Sequence, residues 1–183
     1  MSPPRPARVE IRPPTPADRE AYLAAMRASR RLHRPWSAPA TEETFDGLLQ
    51  RVGDGRNEPM LVCRRPDGAI VGFINISEIV RGPFQSAFLG YGAMAAHAGQ
   101  GYMREGLELV LTRGFTELGL HRLEANIQPG NRASIALVQR CGFVREGFSE
   151  RYLKVAGRWR DHERWAIRVE QWRAGRPSRR VRL

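Results

Sequence analysis

The sequence contains little cysteine and no long apolar run. Its 183 residues include two cysteines, Cys63 and Cys141, with no CxxC pair and no histidine beside them at metal-ligand spacing. This argues against a disulfide framework and a zinc site, so we expect two buried thiols and no metal. No apolar stretch approaches the ~20 residues that span a membrane, and residues 1–11 lack a signal-peptide core. We therefore expect a cytoplasmic protein without a membrane partner.

Lysine is almost absent. Lys154 is the only lysine among 30 basic residues, which stand against 19 acidic ones and give a net charge of +11. Residues 1–34 contain eight basic and three acidic residues, and residues 170–183 contain five and one, so the excess lies at the two ends. Basic ends attract polyanions, and a weak contact with a ribosome or RNA is one interpretation. Arginine-rich codon usage is the other, and the sequence leaves both open.

The composition, with 42% hydrophobic and 27% charged residues, is typical of a single globular domain. The spacing of the apolar residues predicts the element order β, α, α, β, β, β, α, β, α, β, β. We expect strands at residues 7–12, 60–63, 69–76, 87–94 and 122–128, a terminal hairpin at 142–155 and 159–169, and helices at 15–33, 41–52, 101–119 and 131–140. The helix at 101–119 is the most regular, because apolar residues recur on one of its faces.

A glycine-containing loop joins the fourth predicted strand to this helix. The loop reads AAHAGQG, and Gly99 and Gly101 would let a ligand approach the backbone closely. Unpaired N–H groups at a helix start, together with the positive end of the helix dipole, suit a phosphate group. The loop is neither a P-loop nor a dinucleotide-binding fingerprint, because no Gly-Lys-Ser/Thr and no third glycine follow. By itself such a loop is more often a tight turn.

Four segments in this order and spacing carry a family resemblance: AFLGYGAM, GQGYMREGLELVL, GLHRLEANIQPGNRASIALVQRCGFVREG and RYLKVAGRWRDHERWAI. They resemble the Gcn5-related N-acetyltransferase (GNAT) superfamily, and LHRPW and VGFINIS add a likeness to its ribosomal-protein alanine N-acetyltransferases. The resemblance covers about residues 8–169 and implies one α/β domain between a flexible N-terminus (1–7) and a basic tail (170–183). It implies a mixed, mostly antiparallel sheet with flanking helices that opens between strands 4 and 5 to hold acetyl-CoA as cosubstrate.

The resemblance also implies which residues bind coenzyme A. They lie at the end of strand 4, in the loop and at the next two helix starts: Met94, Ala95, Ala96, Gly99, Gln100, Gly101, Tyr102, Met103, Arg104, Asn131 and Ser134. A backbone N–H near Met94 or Ala95 is the expected oxyanion donor, and Gly92 could accommodate a strand bulge. The loop departs from the family motif at Ala98 and Met103. Because its phosphate ligands are mostly backbone N–H groups, we expect a modest loss of affinity.

The catalytic residues depart from the common family pattern. Val138 stands where many relatives have a tyrosine that protonates the departing thiolate. In the branch that this chain resembles, a serine at the position of Ser134 hydrogen-bonds the coenzyme sulfur. Phe88 replaces the strand glutamate that serves many relatives as base. Glu150 and Tyr152 are the candidates for that base, because two-residue alternation along a strand would point both to the same side.

We expect an N-acetyltransferase that acts on a protein N-terminal α-amine, with a ribosomal protein as the acceptor that the branch implies. Transfer would be direct, in a ternary complex, because neither cysteine falls in the site motif. Acetylation of a small amine such as an antibiotic or a polyamine is the alternative, although the net charge argues mildly against a polycation. A degenerate, non-catalytic module that binds coenzyme A or nucleic acid is the third. Trp36, Phe84 and Tyr91 fit either a peptide groove or the core.

Overall fold

The structure, a computed structural model, describes residues 7–175. Residues 1–6 of the flexible N-terminus predicted at 1–7, and residues 176–183 of the predicted basic tail, lie outside the described residues. In the described part, the chain forms β1 (Val9–Arg12), α1 (Arg19–Ala28), α2 (Arg30–His33), α3 (Glu42–Arg51), β2 (Glu58–Arg64), β3 (Ile70–Val80), β4 (Ser86–Ala93), α4 (Tyr102–Thr112), β5 (Arg122–Ile127), α5 (Arg132–Arg140), β6 (Val144–Val155), β7 (Arg158–Arg168) and α6 (Val169–Ala174). This order agrees with the prediction up to β7.

Two predicted helices are subdivided. The helix expected at 15–33 begins with a 3₁₀ turn and is interrupted at Ser29, which separates α1 from α2. The helix expected at 101–119 is α-helical to Thr112 and continues as a π-helical turn, Arg113–Glu117. Neither change alters the layer to which the segment belongs.

The strands form one sheet in the order β1-β2-β3-β4-β5-β7-β6. Strands β4 and β5 are parallel and pair over three residues, ending at Phe88 opposite Glu124. The other strand pairs of residues 7–175 are antiparallel. Beyond Phe88 and Glu124, β4 and β5 separate and leave a gap, here called the split. The predicted α/β fold, with a mostly antiparallel sheet that opens between strands 4 and 5, is confirmed.

The sheet has a different apolar layer on each face. The larger layer, on the α4 face, packs α4 and α5 against alternate strand residues such as Val62, Leu123 and Ile127. The smaller layer, on the α1 face, packs α1 and α3 against the alternating neighbours, including Leu61 and Cys63. Each strand residue is thus assigned to a face by two-residue alternation.

A buried carboxylate, Asp18, holds the turn before α1 against strand β1. Asp18 is 9% exposed and accepts hydrogen bonds from the Arg12 guanidinium at 2.6 and 2.8 Å and from the backbone N–H and hydroxyl of Thr15 at 2.8 Å each. These donors, Arg12 foremost, lower the pKa of Asp18 to about 2. The ion pair joins β1 to the turn that starts α1.

The end of the domain differs from the prediction. Residues 170–174, expected to begin a tail, belong to helix α6, and the Trp172 ring lies 5.3 Å from the Phe115 ring between centroids. The packed region therefore extends past residue 169 to at least Trp172, which covers an aromatic side chain of the α4 face. Within residues 7–175, the structure has no helix that combines the length and the apolar character needed to cross a membrane.

Candidate functional site

The split is the place where two helix starts meet. Because β4 and β5 are parallel, their carboxyl ends lie at the same edge of the sheet, and α4 and α5 begin shortly after those ends. Separation of the strands beyond Phe88 and Glu124 opens the sheet between the two helix starts. The topology therefore brings together the loop at residues 98–104 and the start of α5.

The loop before α4 has an open row of backbone donors. Gly99 and Gly101 have φ values of 74° and 85°, a region that favours glycine. Within residues 7–175, the N–H groups of residues 99–104 form no hydrogen bonds. Met103 packs its sulfur over Gly72, so its side chain faces the sheet while its N–H stays at the helix start. This arrangement suits a phosphate or pyrophosphate group.

Arg8, which the sequence analysis did not single out, braces this loop. Its Nη2 donates to the Gln100 carbonyl at 2.9 Å and its Nε donates to Glu105 at 2.6 Å, while the guanidinium lies 4.5 Å from the centre of the Tyr102 ring. A hydrogen bond within the loop also stabilises it, since Gln100 Nε2 donates to the Ala96 carbonyl at 3.2 Å. Arg8 is remote in sequence, so no local pattern indicated it.

Ser134 has two partners at the split. Asn131 caps α5, and its Oδ1 accepts the Ser134 N–H at 3.2 Å. The Ser134 hydroxyl lies 2.7 Å from that of Tyr91 on β4. Burial raises the pKa of Tyr91 well above its usual value, so the phenol stays protonated and can donate to Ser134. Ser134 then keeps its own hydroxyl hydrogen for another acceptor.

The expected oxyanion donors need correction. The Met94 N–H donates to the Val71 carbonyl at 2.9 Å, and the Ala95 N–H donates to the Ser29 hydroxyl at 2.8 Å, so neither group is free. Because N–H groups along β4 alternate in direction, those of Tyr91 and Ala93 point away from β3 and into the split.

The expected strand bulge at Gly92 is absent, because pairing between β3 and β4 is regular from Gly72 to Ser77. Gly92 has a packing role instead. A Cβ atom at this position would lie 2.7 Å from the Phe73 ring.

Glu150 and Tyr152 lie in an irregular part of β6, so strand alternation gives no basis for the expectation that both point to the same side. Register between β6 and β7 shifts between Ser149 and Leu153, and Arg151 has a φ of 46°. Regular alternation does not hold across such a bulge. Glu150 is exposed, and Tyr152 packs with its ring 6.1 Å from that of His162. Within residues 7–175, no hydrogen bond or ring contact joins either residue to Ser134.

The cysteines do not offer a nucleophile. Cys63 is buried, and Cys141 is half-buried rather than fully buried as expected. Burial raises the pKa of both thiols, that of Cys141 to about 12, so both are protonated at neutral pH. Residues 7–175 contain no group of three histidine, cysteine, aspartate or glutamate side chains that could hold a metal ion.

An open cleft, here called the arginine cleft, lies on the α1 face beside the end of β4. His33 lines it and donates from Nε2 to the Ala93 carbonyl at 2.9 Å. Arg27, Arg30 and Arg34 also line it, and none of them forms a salt bridge with another residue of the described part. The cleft therefore presents net positive charge beside the split.

The two other aromatic candidates lie apart. Trp36 follows α2, and its ring packs on Gly130 while its carbonyl accepts a hydrogen bond from Gln128 at 3.1 Å. It therefore borders the end of β5 at the split. Phe84 is 60% exposed and precedes β4, at the end of that strand away from the split.

Sequence comparison identifies the family to which this fold belongs. A family model described as an acetyltransferase (GNAT) domain matches residues 8–144. The chain belongs to the GNAT acetyltransferase family. It is similar to [Ribosomal protein uS5]-alanine N-acetyltransferase of Escherichia coli, with 37% identity over 107 residues, which are 58% of this chain and 55% of that protein. The chain spans about half the length of the curated relatives that it matches.

Solved structures share the fold over most of the chain. Mycobacterium smegmatis RimJ in complex with CoA-disulfide has a TM-score of 0.80 and 32% identity, covering 88% of this chain and 82% of that one. Spermidine N-acetyltransferase from Vibrio cholerae, in complex with CoA and spermine, has a TM-score of 0.77 and covers 90% of this chain and 98% of that one. Its 21% identity shows a common fold alone.

Proposed function

We propose that this protein is an acetyl-CoA-dependent N-acetyltransferase that acetylates the N-terminal α-amine of a ribosomal protein in the cytoplasm. The observation that carries the proposal is the Tyr91–Ser134 hydroxyl pair, with its oxygens 2.7 Å apart, at the split between two helix starts. Similarity to the alanine N-acetyltransferase of Escherichia coli and to RimJ supports this acceptor class.

The residues of the loop fit coenzyme A. The N–H groups of residues 99–104, which have no partner within residues 7–175, would hold its pyrophosphate, and Arg8 braces the loop through its hydrogen bond to the Gln100 carbonyl. Asn131 caps α5 and holds Ser134 at the split. Bound acetyl-CoA supplies a thioester whose carbonyl is open to attack by an amine.

The chain's own groups would then assist at three points. Tyr91 would donate to the Ser134 hydroxyl, which would leave Ser134 to donate to a leaving sulfur. The N–H groups of Tyr91 and Ala93 point into the split, where they would donate to a developing oxyanion. An N-terminal amine has a pKa near 8, so part of it is neutral at physiological pH. Glu150 and Tyr152 remain candidates for a base that acts through water.

A polyamine is the second candidate acceptor, because spermidine acetyltransferases share the fold and, in one case, 32% identity over 71 residues. The arginine cleft opposes it. A polyamine carries several positive charges, and the unpaired guanidinium groups of Arg27, Arg30 and Arg34 beside the split would repel them. A peptide carries one amine and many carbonyl groups, so the same cleft is compatible with it.

Competition between acceptors tests the proposal. Purified protein and acetyl-CoA are incubated with peptides that begin with alanine or serine, with the same peptides already blocked at the N-terminus, and with spermidine. We expect mass spectrometry to show one acetyl group on each free peptide and none on the blocked controls. Faster acetylation of spermidine would contradict the acceptor class, and coenzyme binding without transfer to any amine would identify a non-catalytic module.

A further inference from the structure

Two buried polar side-chain atoms in residues 7–175 have no hydrogen-bond partner: Asn126 Oδ1 and Arg160 Nε. Their neighbourhood is otherwise satisfied, since His162 Nδ1 donates to the Arg160 carbonyl at 2.9 Å. A buried polar atom without a partner destabilises a folded protein, so each such atom calls for a physical explanation. One such explanation is a ligand that supplies the missing hydrogen-bond partner.

Both atoms belong to the same face of the sheet. Asn126 on β5 is paired with Arg164 on β7, so their side chains share a face. Opposite the irregular segment of β6, β7 has the single residue Asp161 between His162 and Arg160, so β7 keeps its two-residue alternation, which places Arg160 on that face as well. It is the α1 face, because the alternate β5 residues Leu123 and Ile127 enter the layer on the α4 face.

Asn126 also lies at the split. The last residue of β5 that pairs with β4 is Glu124, and Asn126 follows it on the same face. Ser134 and the loop before α4 lie on the opposite face, where coenzyme A is proposed to bind. An amine that enters the split from the α1 face would therefore pass Asn126.

The two atoms have opposite hydrogen-bonding roles. An amide oxygen accepts, whereas the guanidinium Nε–H donates. Four residues along β7 separate Arg160 from Arg164, the partner of Asn126, which corresponds to about 13 Å of strand. An extended peptide covers that distance with about four residues. The start of a peptide offers amine donors first and carbonyl acceptors further along, whereas a polyamine offers no carbonyl.

We propose that Asn126 and Arg160 form an acceptor-positioning pair for a peptide N-terminus. Both atoms are closed to solvent in the free protein, so each side chain rotates outward as the peptide binds. Asn126 Oδ1 then accepts a hydrogen bond from the α-amine, and Arg160 Nε donates to a backbone carbonyl about three residues further along. This inference rests on the proposed function and makes it more specific: the acceptor is an extended polypeptide end of several residues, not an isolated small amine.

An acceptor-length series tests the pair. KM is measured for alaninamide and for an alanine-initiated pentapeptide, with wild type, Asn126→Leu, Arg160→Met and the exposed control Arg158→Met. We expect Asn126→Leu to raise KM for both acceptors by about 10-fold, which is typical for loss of one hydrogen bond to an amine. Arg160→Met should raise KM about 10-fold for the pentapeptide alone, and Arg158→Met should change neither.

Stability and coenzyme affinity separate positioning from a structural role. Because Asn126 Oδ1 has no partner in the free protein, Asn126→Leu should keep or raise the melting temperature and leave the Kd for coenzyme A unchanged. Asn126→Asp, which keeps an acceptor oxygen, should retain the wild-type KM within about threefold, and it also serves if the leucine variant does not fold.

Several results would overturn the pair. One is an Asn126→Leu variant that loses stability yet keeps its acceptor KM, and another is an Arg160→Met variant that affects both acceptor lengths equally. Wild-type protein that acetylates no peptide would instead overturn the proposed function. Peptide acetylation that is indifferent to both substitutions would overturn the pair while leaving the proposed function intact.

Discussion

The two faces of the sheet at the split differ in how their polar side chains are satisfied. On the α4 face, Tyr91 and Ser134 bond each other, and Asn131 accepts the Ser134 N–H. On the α1 face, Asn126 Oδ1 and Arg160 Nε are buried without partners. On the α4 face, these side chains have hydrogen-bond partners and the unbonded donors are backbone N–H groups. On the α1 face, the unbonded groups belong to side chains.

This difference fits the two kinds of partner proposed for the faces. Coenzyme A offers phosphates, which backbone N–H groups at a helix start hold without special side chains. A peptide end offers an amine and carbonyls, which need side-chain groups that are not already bonded. Each unsatisfied group costs the free protein about 1–3 kcal/mol, a cost typically tolerated where a ligand removes it.

The largest effect should come from disrupting the loop on the α4 face. Proline cannot adopt the φ of 85° at Gly101 and removes an N–H group, so Gly101→Pro should weaken coenzyme A binding by about 100-fold or more. Isothermal titration calorimetry measures this. Gly82→Pro is the matched control: it imposes the same conflict at a φ of 66° before β4 and should lower stability without changing the Kd.

Ala98→Arg, which restores a family loop side chain, should leave coenzyme affinity equal or improved, because the ligands are backbone groups. Unchanged binding by Gly101→Pro would show that the loop on the α4 face does not hold the coenzyme. The assignment of coenzyme A and peptide to different faces would then be wrong.

Ser134→Ala should have the next largest effect. A hydrogen bond to a developing thiolate stabilises the transition state more than the ground state, so kcat should fall by roughly 10- to 1,000-fold, nearer the lower value because sulfur accepts hydrogen bonds weakly. The Kd for coenzyme A should change little. Tyr91→Phe should reduce kcat less, because Tyr91 acts through Ser134. A fall in affinity alone would make Ser134 a binding residue, and an unchanged kcat would remove it from the mechanism.

The contrast between the faces also explains what the sequence could predict. The loop glycines, the Asn131 cap and Ser134 lie within short segments, so their pattern indicated both the helix starts and the site. The Tyr91 partner of Ser134 and the unpaired Asn126 depend on how distant strands align. Met94 and Ala95 were wrong as oxyanion donors because partners from β3 and from the end of α1 occupy their N–H groups. No local pattern shows that an N–H group is already bonded.

A smaller effect is expected where Asp18 anchors the α1 face. Its folded pKa of about 2 lies below the ordinary value of 3.8, so its ion pair with Arg12 stabilises the fold above about pH 4 and loses this contribution as the pH falls toward 2. Asp18→Asn should cost about 2 kcal/mol at pH 7, and the difference from wild type should shrink below pH 4. Urea denaturation at several pH values measures both.

Asp67→Asn is the matched control for Asp18. Asp67 also has a pKa lowered to about 2 by an arginine, Arg64, but it is exposed, so solvent screening should make its loss smaller. A pH-independent difference between wild type and Asp18→Asn would show that the carboxylate does not anchor the α1 face.

The smallest effect is expected from removing the tail after Gly175, because α6 ends before it and every residue proposed for the site precedes it in the sequence. Coenzyme affinity and peptide acetylation should be unchanged. The removed segment contains four arginines, so only a salt-sensitive association with ribosomes or RNA should weaken, which sedimentation at two salt concentrations measures. A chain ending at residue 169 is the control: it loses Trp172, exposes Phe115 and should melt at a lower temperature. Loss of peptide acetylation in the chain that ends at Gly175 would mean that the tail contributes to acceptor binding.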